Sequence, residues 1–168
     1  YGQFTTAKSM VAGNTPTVAV GEIVVSWNSA VLSNYAANGT LDRMFRNQAF
    51  TVSANALGLA TAVISDSTTG ATVTEVANSN AYARLALNAA GGAQPSWATA
   101  GTGNVAANAN QWNMPTPSGS WGTVVAAFIV DSSTHASGNI LIYDNGITDQ
   151  AVGMDDVVYY ATGQFSLT

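Results

Sequence analysis

Short runs of apolar residues, separated by clusters of Gly, Asn, Ser and Thr, recur along most of the chain. Such runs are typical of β-strands when they are rich in β-branched and aromatic residues. The strongest candidates lie at 18–27, 56–65, 81–87, 121–131 and 139–144, and two further short strands are predicted within 154–167. Asn145-Gly146 tolerates positive φ and therefore predicts a type I′ hairpin turn. The pattern predicts an all-β fold, a single-domain antiparallel β-sandwich or barrel.

Two stretches lack a clear period, and the first of them sets the predicted boundary of the domain. Residues 1–17 have no core-forming pattern and are interpreted as an extended N-terminal arm, which leaves 18–168 as a single β domain. Residues 89–114 are rich in Gly, Ala and Asn. They predict a long loop with one or two short strands, and a loop of that length is usually functional or contact-forming.

One stretch, 33–46, has helical and not strand-like spacing. Ser33 is a plausible N-cap for this predicted short α-helix. The residues expected to share one face are Ala37, Leu41, Met44 and Phe45, while Asp42, Arg43 and Arg46 lie off it. Gly39 in the middle costs about 1 kcal/mol relative to Ala. The helix is therefore expected to depend on tertiary packing, with Leu41, Met44 and Phe45 covering the open end of the β-barrel.

Charge and composition narrow the possible partners. Charged residues make up 8% of the 168 residues, against about 25% in an ordinary soluble domain. The net charge is −5 with no basic patch, so nucleic-acid binding is not expected. There is no cysteine, no apolar run long enough to span a bilayer and no visible signal peptide. A surface of small neutral groups suits a protein that is packed into an assembly.

No group of residues predicts catalysis, a metal or a cofactor. His135, the single histidine, lies in a Ser/Thr/Gly stretch and is interpreted as a solvated turn residue. Asp155-Asp156 would point to opposite sides of a strand and is interpreted as a polar turn, with a calcium site as the alternative. The nine acidic residues do not nominate a catalytic pair. The chain is therefore expected not to be an enzyme.

The four tryptophans could form a sugar-binding surface, but packing in the core or at a subunit interface is the preferred interpretation. Trp97 and Trp112 fall within the predicted long loop. They are therefore candidates for contact with a partner.

The order of motifs resembles a family of small tailed-phage virion proteins that is usually labelled phage tail fibre protein. Its opening helix is similar to "LSNYAANGTLDRMF", and its later segments are similar to "ALGLATAVIS", "TEVANSNAYARLAL", "WGTVVAAFIVD", "GNILIYD" and "GMDDVVYYATGQFSL". The resemblance covers about 31 to 168. Ala37 stands where the family usually has an acid, Gly58 and Ala60 weaken the first core strand, and the first 30 residues or so are additional.

The resemblance implies a structural protein of the phage particle without a cofactor. The first hypothesis is a capsid decoration protein on the outer capsid surface. It would be a homotrimer bound to the major capsid protein, because an icosahedral lattice offers three-fold sites. The alternative is a tail-fibre or tail-tip module that binds a host glycan, and a glycan-degrading enzyme is the third. The partner-contact candidates are Arg43, Arg46, Trp97, Trp112 and, in the arm, Tyr1 and Phe4.

Overall fold

The computed structural model describes residues 31–52, 54–88, 92–98 and 106–167. This part of the chain forms one helix, α1 (Asn34–Phe45), and a series of short strands. The strands are β1 (Val31–Leu32), β2 (Asn55–Ala60), β3 (Leu85–Leu87), β4 (Ala106–Ala107), β5 (Trp112–Asn113), β6 (Gly122–Val124), β7 (Ala126–Val130), β8 (Ile140–Asp144), β9 (Gln150–Val152), β10 (Tyr159–Tyr160) and β11 (Ser166–Leu167). Every pairing between these strands is antiparallel. The predicted all-β class with one short helix is confirmed.

The predicted arm, 1–17, and the predicted strand at 18–27 lie outside the described residues. The boundary between arm and domain therefore stays a prediction.

A five-stranded sheet in the order β1-β8-β7-β2-β3 forms the centre of the domain. The middle strand, β7, pairs with β2 from Ala56↔Val130 to Ala60↔Ala126, and with β8 on its other side. All five residues of β7 are buried. A strand that is covered on both faces needs apolar residues at every position, which is what its sequence Ala-Ala-Phe-Ile-Val supplies.

Apolar clusters lie on both faces of this sheet because successive strand residues point to opposite sides. Leu57 and Leu59 of β2 belong to the larger cluster, which also contains Trp112, Tyr160 and Phe165. Ala56 and Ala60 belong to a second cluster with Phe128 and Val130. Smaller two-stranded sheets, β5–β10, β4–β11 and β6–β9, complete the architecture. This arrangement is consistent with the predicted sandwich.

Gly58 has a packing role in β2, although its sequence context suggested only a weak strand. It lies directly opposite Phe128 of β7. A Cβ atom at position 58 would lie 2.3 Å from Cζ of the Phe128 ring. The aromatic ring therefore fills the space that the glycine leaves, and a side chain at this position would displace the ring.

The predicted strand at 121–131 is divided into two strands that belong to different sheets. Gly122 has φ +81°, and β6 pairs with β9 through Gly122↔Val152. After Val125, β7 continues in the central sheet. The backbone N–H of Val125 donates to the carbonyl of Ala60 at 2.9 Å, at the point where the chain changes sheets.

The predicted hairpin at Asn145-Gly146 is wrong, because β8 pairs with β1 and β7 while β9 pairs with β6. Neither residue has positive φ. The Asn145 carboxamide instead bonds the backbone of Ile64, accepting from its N–H at 2.9 Å and donating to its carbonyl at 2.8 Å. The Gly146 N–H donates to Oδ1 of Asp144 at 2.6 Å. The two residues thus belong to the connection between β8 and β9, which Asn145 attaches to the backbone of Ile64.

The predicted loop at 89–114 contains β4 and β5 in its described part, in agreement with the expectation of one or two short strands. Their partners, β11 and β10, come from the C-terminal segment, where two short strands were predicted.

Candidate functional site

The helix α1 begins where the sequence predicts and is attached firmly to the central sheet. The Ser33 hydroxyl accepts from the N–H of Ala36 at 3.2 Å, so the predicted N-cap is confirmed. The same hydroxyl donates to the carbonyl of Ile140, and the Ser33 N–H donates to the carbonyl of Leu141 at 3.0 Å. Two bonds from one buried serine thus join the start of the helix to β8, and the third caps the helix.

Gly39 allows an aromatic ring to pack on the helix. A Cβ atom at position 39 would lie 2.3 Å from Cδ2 of Phe50. The Phe50 ring also contacts Tyr35 edge-on, with 5.6 Å between the ring centroids. The unfavourable glycine in mid-helix therefore permits the close approach of the segment that follows the helix.

The apolar residues of α1 face solvent, which contradicts the prediction that they cover an open end of a barrel. Leu41 is 51% exposed, Met44 is 67% exposed and Phe45 is 77% exposed. Only Ala36 is buried within the helix, since α1 is held by its first turn and by Phe50. We refer to Leu41, Met44 and Phe45 as the helix surface. Spacing of three and four residues places them on one side of the helix.

Additional exposed apolar side chains lie beside the beginning of the helix. Val31, Leu32 and Tyr35 are all exposed. The first two form β1, which pairs with β8 alone and is an outer strand of the central sheet. Large contiguous apolar surface on a soluble domain usually marks a contact site.

The two arginines of the helix are both exposed and differ in their contacts. Arg46 donates from Nη1 to Oδ1 of Asp42 at 3.0 Å, one helical turn earlier. Arg43 makes no hydrogen bond or ion pair within the part of the chain that the structure describes. An exposed pair of this type contributes about 0.3–0.5 kcal/mol. Contact of Arg43 and Arg46 with a partner stays a prediction.

Trp97 and Trp112 meet in one aromatic cluster with Phe165. The centroids of the two tryptophan rings are 5.1 Å apart and their planes are perpendicular, and each ring lies within 5.2 Å of the Phe165 ring. Trp112 is completely buried, and its Nε1–H donates to the carbonyl of Ser96. It therefore belongs to the core and is not available as a contact residue, whereas Trp97 is half-buried. The arm candidates Tyr1 and Phe4 lie outside the described residues.

A buried ion pair is the most highly bonded polar feature of the described structure, and the sequence did not predict it. Arg84 and Glu75 form two bonds of 2.8 Å, from Nε to Oε1 and from Nη2 to Oε2. Both side chains are almost completely buried. The remaining guanidinium donors bond the carbonyls of Gly70, Ser132 and Ser137. All five N–H donors of the arginine are therefore used.

This ion pair connects several segments of the chain. The guanidinium carbon of Arg84 lies 5.4 Å from the centre of the Phe128 ring, in the second apolar cluster. The Tyr82 hydroxyl donates to Oε1 of Glu75 at 2.9 Å. Its pKa is raised well above the usual value, first by burial and then by the charge of Glu75. The available sequence signal was an arginine inside an apolar strand, in a chain with four basic residues.

His135 packs against the same network, so its interpretation as a solvated turn residue is wrong. Its Nε2 lies 3.0 Å from the carbonyl oxygen of Val76 and 3.7 Å from Oε2 of Glu75. Its ring also faces Tyr82 edge-on. Position 135 therefore helps to close the loop that follows β7 over the ion pair.

Most described carboxylates hold the fold and are not grouped for chemistry. Those that accept a hydrogen bond within the chain are Asp42, Asp66, Glu75, Asp131, Asp144 and Asp156. Asp155 has φ +63° in the predicted polar turn, and Asp156 accepts from the N–H of Gly153. Over the described ranges there is no group of three acidic or histidine residues that could hold a metal ion. No helix in these ranges is long and apolar enough to cross a membrane.

The fold and this surface define a small antiparallel β domain whose helix displays exposed apolar side chains. The sequence matches the model of the family described as Podophage GP4 fiber I protein gp80 over residues 31–168. The chain belongs to this family and is a phage fibre-type structural protein. The match begins at Val31, the first residue of β1. No curated protein matches the chain.

Proposed function

We propose that this chain is a non-catalytic fibre component of a bacteriophage particle, and that it assembles with further copies of itself through the helix surface. The observation that carries the proposal is the exposure of Leu41, Met44 and Phe45 on one side of a helix that is otherwise firmly attached. Met and aromatic residues are enriched in protein interfaces. Closed symmetric homo-oligomers are the commonest soluble assemblies, and the homotrimer expected above was argued from the three-fold sites of a capsid lattice.

The proposal that the chain is not catalytic is supported by the structural hydrogen bonds that its acidic side chains make. Glu75 is paired with a fully bonded arginine, and Asp131 accepts from both the backbone and the side chain of Asn139. Acid–base catalysis needs carboxyl groups that can reach a substrate. Carboxylates that are committed to structural bonds are poorly suited to that role.

The family description favours a fibre over capsid decoration, because it names a fibre protein. Decoration of the outer capsid, with the major capsid protein as partner, is the second candidate. The copy number per particle separates the two. Quantitative gel densitometry of purified particles should give a few to a few tens of copies for a fibre, whereas hundreds of copies would support decoration.

Self-association can be tested with a matched pair of double variants. Leu41→Gln/Met44→Gln makes the helix surface polar and keeps residues that are compatible with a helix. Met154→Gln/Val157→Gln changes side chains of nearly equal exposure, 66% and 53%, at a site outside the helix. Light scattering after size-exclusion chromatography should show the oligomer in the wild type and in the second variant, and monomer in the first.

Two results would contradict the proposal. One is a wild-type protein that is monomeric at all accessible concentrations. The other is a helix-surface variant that keeps the wild-type mass, because the interface would then lie elsewhere.

A further inference from the structure

A cleft of about 220 Å³ lies at the opposite edge of the central sheet from the helix. It is lined by Leu85, Gln94, Pro95, Asn110, Gln111 and Asn113. Leu85 belongs to β3, the outer strand on one side, while α1 packs against β8 and β1 on the other side. Strands are spaced by about 4.8 Å, so four spacings, or roughly 19 Å, separate the two outer strands. A ligand in the cleft and an oligomer formed through the helix surface can thus coexist.

The chemistry of the cleft is neutral and strongly hydrogen-bonding. Four of the six lining side chains are carboxamides, and the other two are the half-buried apolar residues Leu85 and Pro95. None of the six is charged. A cluster of neutral donors and acceptors beside a small apolar wall suits a ligand with many hydroxyl groups and some exposed C–H surface.

Several donor or acceptor groups of the carboxamides in the cleft make no hydrogen bond to another described residue. Gln94 uses its oxygen to accept from the N–H of Ser96 at 3.1 Å, which leaves its NH2 group. Gln111 donates from Nε2 to Oδ1 of Asn113 at 2.6 Å. The Oε1 of Gln111 and the NH2 group of Asn113 are then left as one acceptor and one donor group. The three groups, from Gln94, Gln111 and Asn113, belong to different residues of the cleft lining.

Asn110 adds a polar atom that the protein does not satisfy. Its Oδ1 is buried and has no hydrogen-bond partner among the described residues. A buried carbonyl oxygen without a donor is unfavourable. Because Asn110 lines the cleft, a ligand hydroxyl bound there could supply the missing donor after the side chain rotates.

We propose that this cleft binds one residue of a neutral carbohydrate. Its volume of about 220 Å³ is below the range of about 300–1,000 Å³ that is typical of drug-sized ligand sites, so the part of a ligand held in the cleft is expected to be a single sugar ring. The described lining residues disfavour acidic sugars, because none of them is a cation. This proposal does not depend on the helix surface, and either can fail without the other.

The test uses saturation-transfer NMR on the full chain with free glucose, galactose, mannose, rhamnose and N-acetylglucosamine at millimolar concentration. Glucuronic acid and the tripeptide Gly-Gly-Gly serve as comparison probes. We expect transfer to ring protons of at least one neutral sugar and none to the two comparison probes.

Variants then locate the binding site. Gln111→Leu/Asn113→Leu removes two hydrogen-bonding groups and should weaken sugar binding by about tenfold or more. Gln48→Leu/Asn78→Leu, which changes the same two residue types at exposed positions outside the cleft, should bind as the wild type does. Asn113→Trp, at an exposed strand position, should abolish binding by filling the cleft.

Circular dichroism of each variant must match the wild type before the comparison is made. The proposal is overturned if no neutral sugar gives a signal, or if the tripeptide alone binds. It is also overturned if the cleft variants bind sugar as tightly as the wild type.

Discussion

Replacement of Arg84 by Met tests whether the buried ion pair holds the fold together. The substitution keeps the length of the side chain and removes all five of its donors. The Glu75 carboxylate, which is 2% exposed, then loses its partner, and three backbone carbonyls lose a donor. Breaking a buried pair by removing one partner costs about 3–5 kcal/mol. For a domain of this size, that corresponds to a fall in melting temperature of about 6–20 °C.

The assay is thermal and urea unfolding at equal protein concentrations, monitored by circular dichroism and tryptophan fluorescence. Arg46→Met provides the control, because its pair with Asp42 is exposed and should contribute under about 0.5 kcal/mol. In the Glu75→Gln background, Arg84→Met no longer leaves a buried charge without a partner. The loss of unfolding free energy caused by Arg84→Met should therefore be smaller in that background by about 1–3 kcal/mol.

Two outcomes would refute this reasoning. If Arg84→Met lowers the free energy of unfolding by less than about 1 kcal/mol, the network is not a determinant of stability. If the effects of Glu75→Gln and Arg84→Met simply add, the two residues are not coupled as their geometry indicates.

Three further expectations follow from the packing and ionisation of other residues. Gly39→Ala should destabilise the protein by about 1–3 kcal/mol in urea unfolding, because the new Cβ atom would displace the Phe50 ring. This loss is expected even though Ala favours helices, and a variant more stable than the wild type would contradict the packing. The hydrogen bond to the Asp66 carboxylate, followed by burial, raises the pKa of Tyr143 to about 12, and burial raises that of Tyr82. Since both folded pKa values exceed the unfolded value of about 10, this stability is complete below pH 10 and is lost as pH rises above it. Tyrosine ionisation followed at 295 nm should therefore require a higher pH in the folded protein than in the unfolded protein. Full ionisation near pH 10 without unfolding would be inconsistent with these environments. Deletion of residues 1–17 should leave the thermal melt nearly unchanged, and unfolding of the shortened chain would show that the segment belongs to the core.

Local signals in the sequence predicted the elements that depend on local interactions. The Ser33 cap and the helical spacing after it need only neighbouring residues, and both are confirmed. The buried strand β7 is also marked by its own composition. These features do not require knowledge of which segments meet in space.

The surroundings of the same elements could not be predicted, because they depend on distant segments. The apolar face of α1 was expected to be covered, yet its attachment to β8 through Ser33 leaves Leu41, Met44 and Phe45 exposed. Asn145-Gly146 has the composition of a hairpin turn, but β9 pairs with β6 instead.

The ion pair shows the same limit. Three of the bonds of Arg84 go to carbonyls 14 to 53 residues away in sequence. Its spacing from Glu75 carries no recognisable period. The family resemblance did mark the segment that contains both residues, but it did not reveal their structural role.

The most direct test of the central claim is photo-crosslinking from the helix surface of the purified protein. Benzoylphenylalanine replaces Phe45 in one variant and Val63 in the other, two positions that are both 77% exposed. The proposed self-association predicts covalent dimers and trimers from position 45 and only background product from position 63. Equal crosslinking from both positions, or none from position 45 at concentrations where light scattering shows an oligomer, would contradict it.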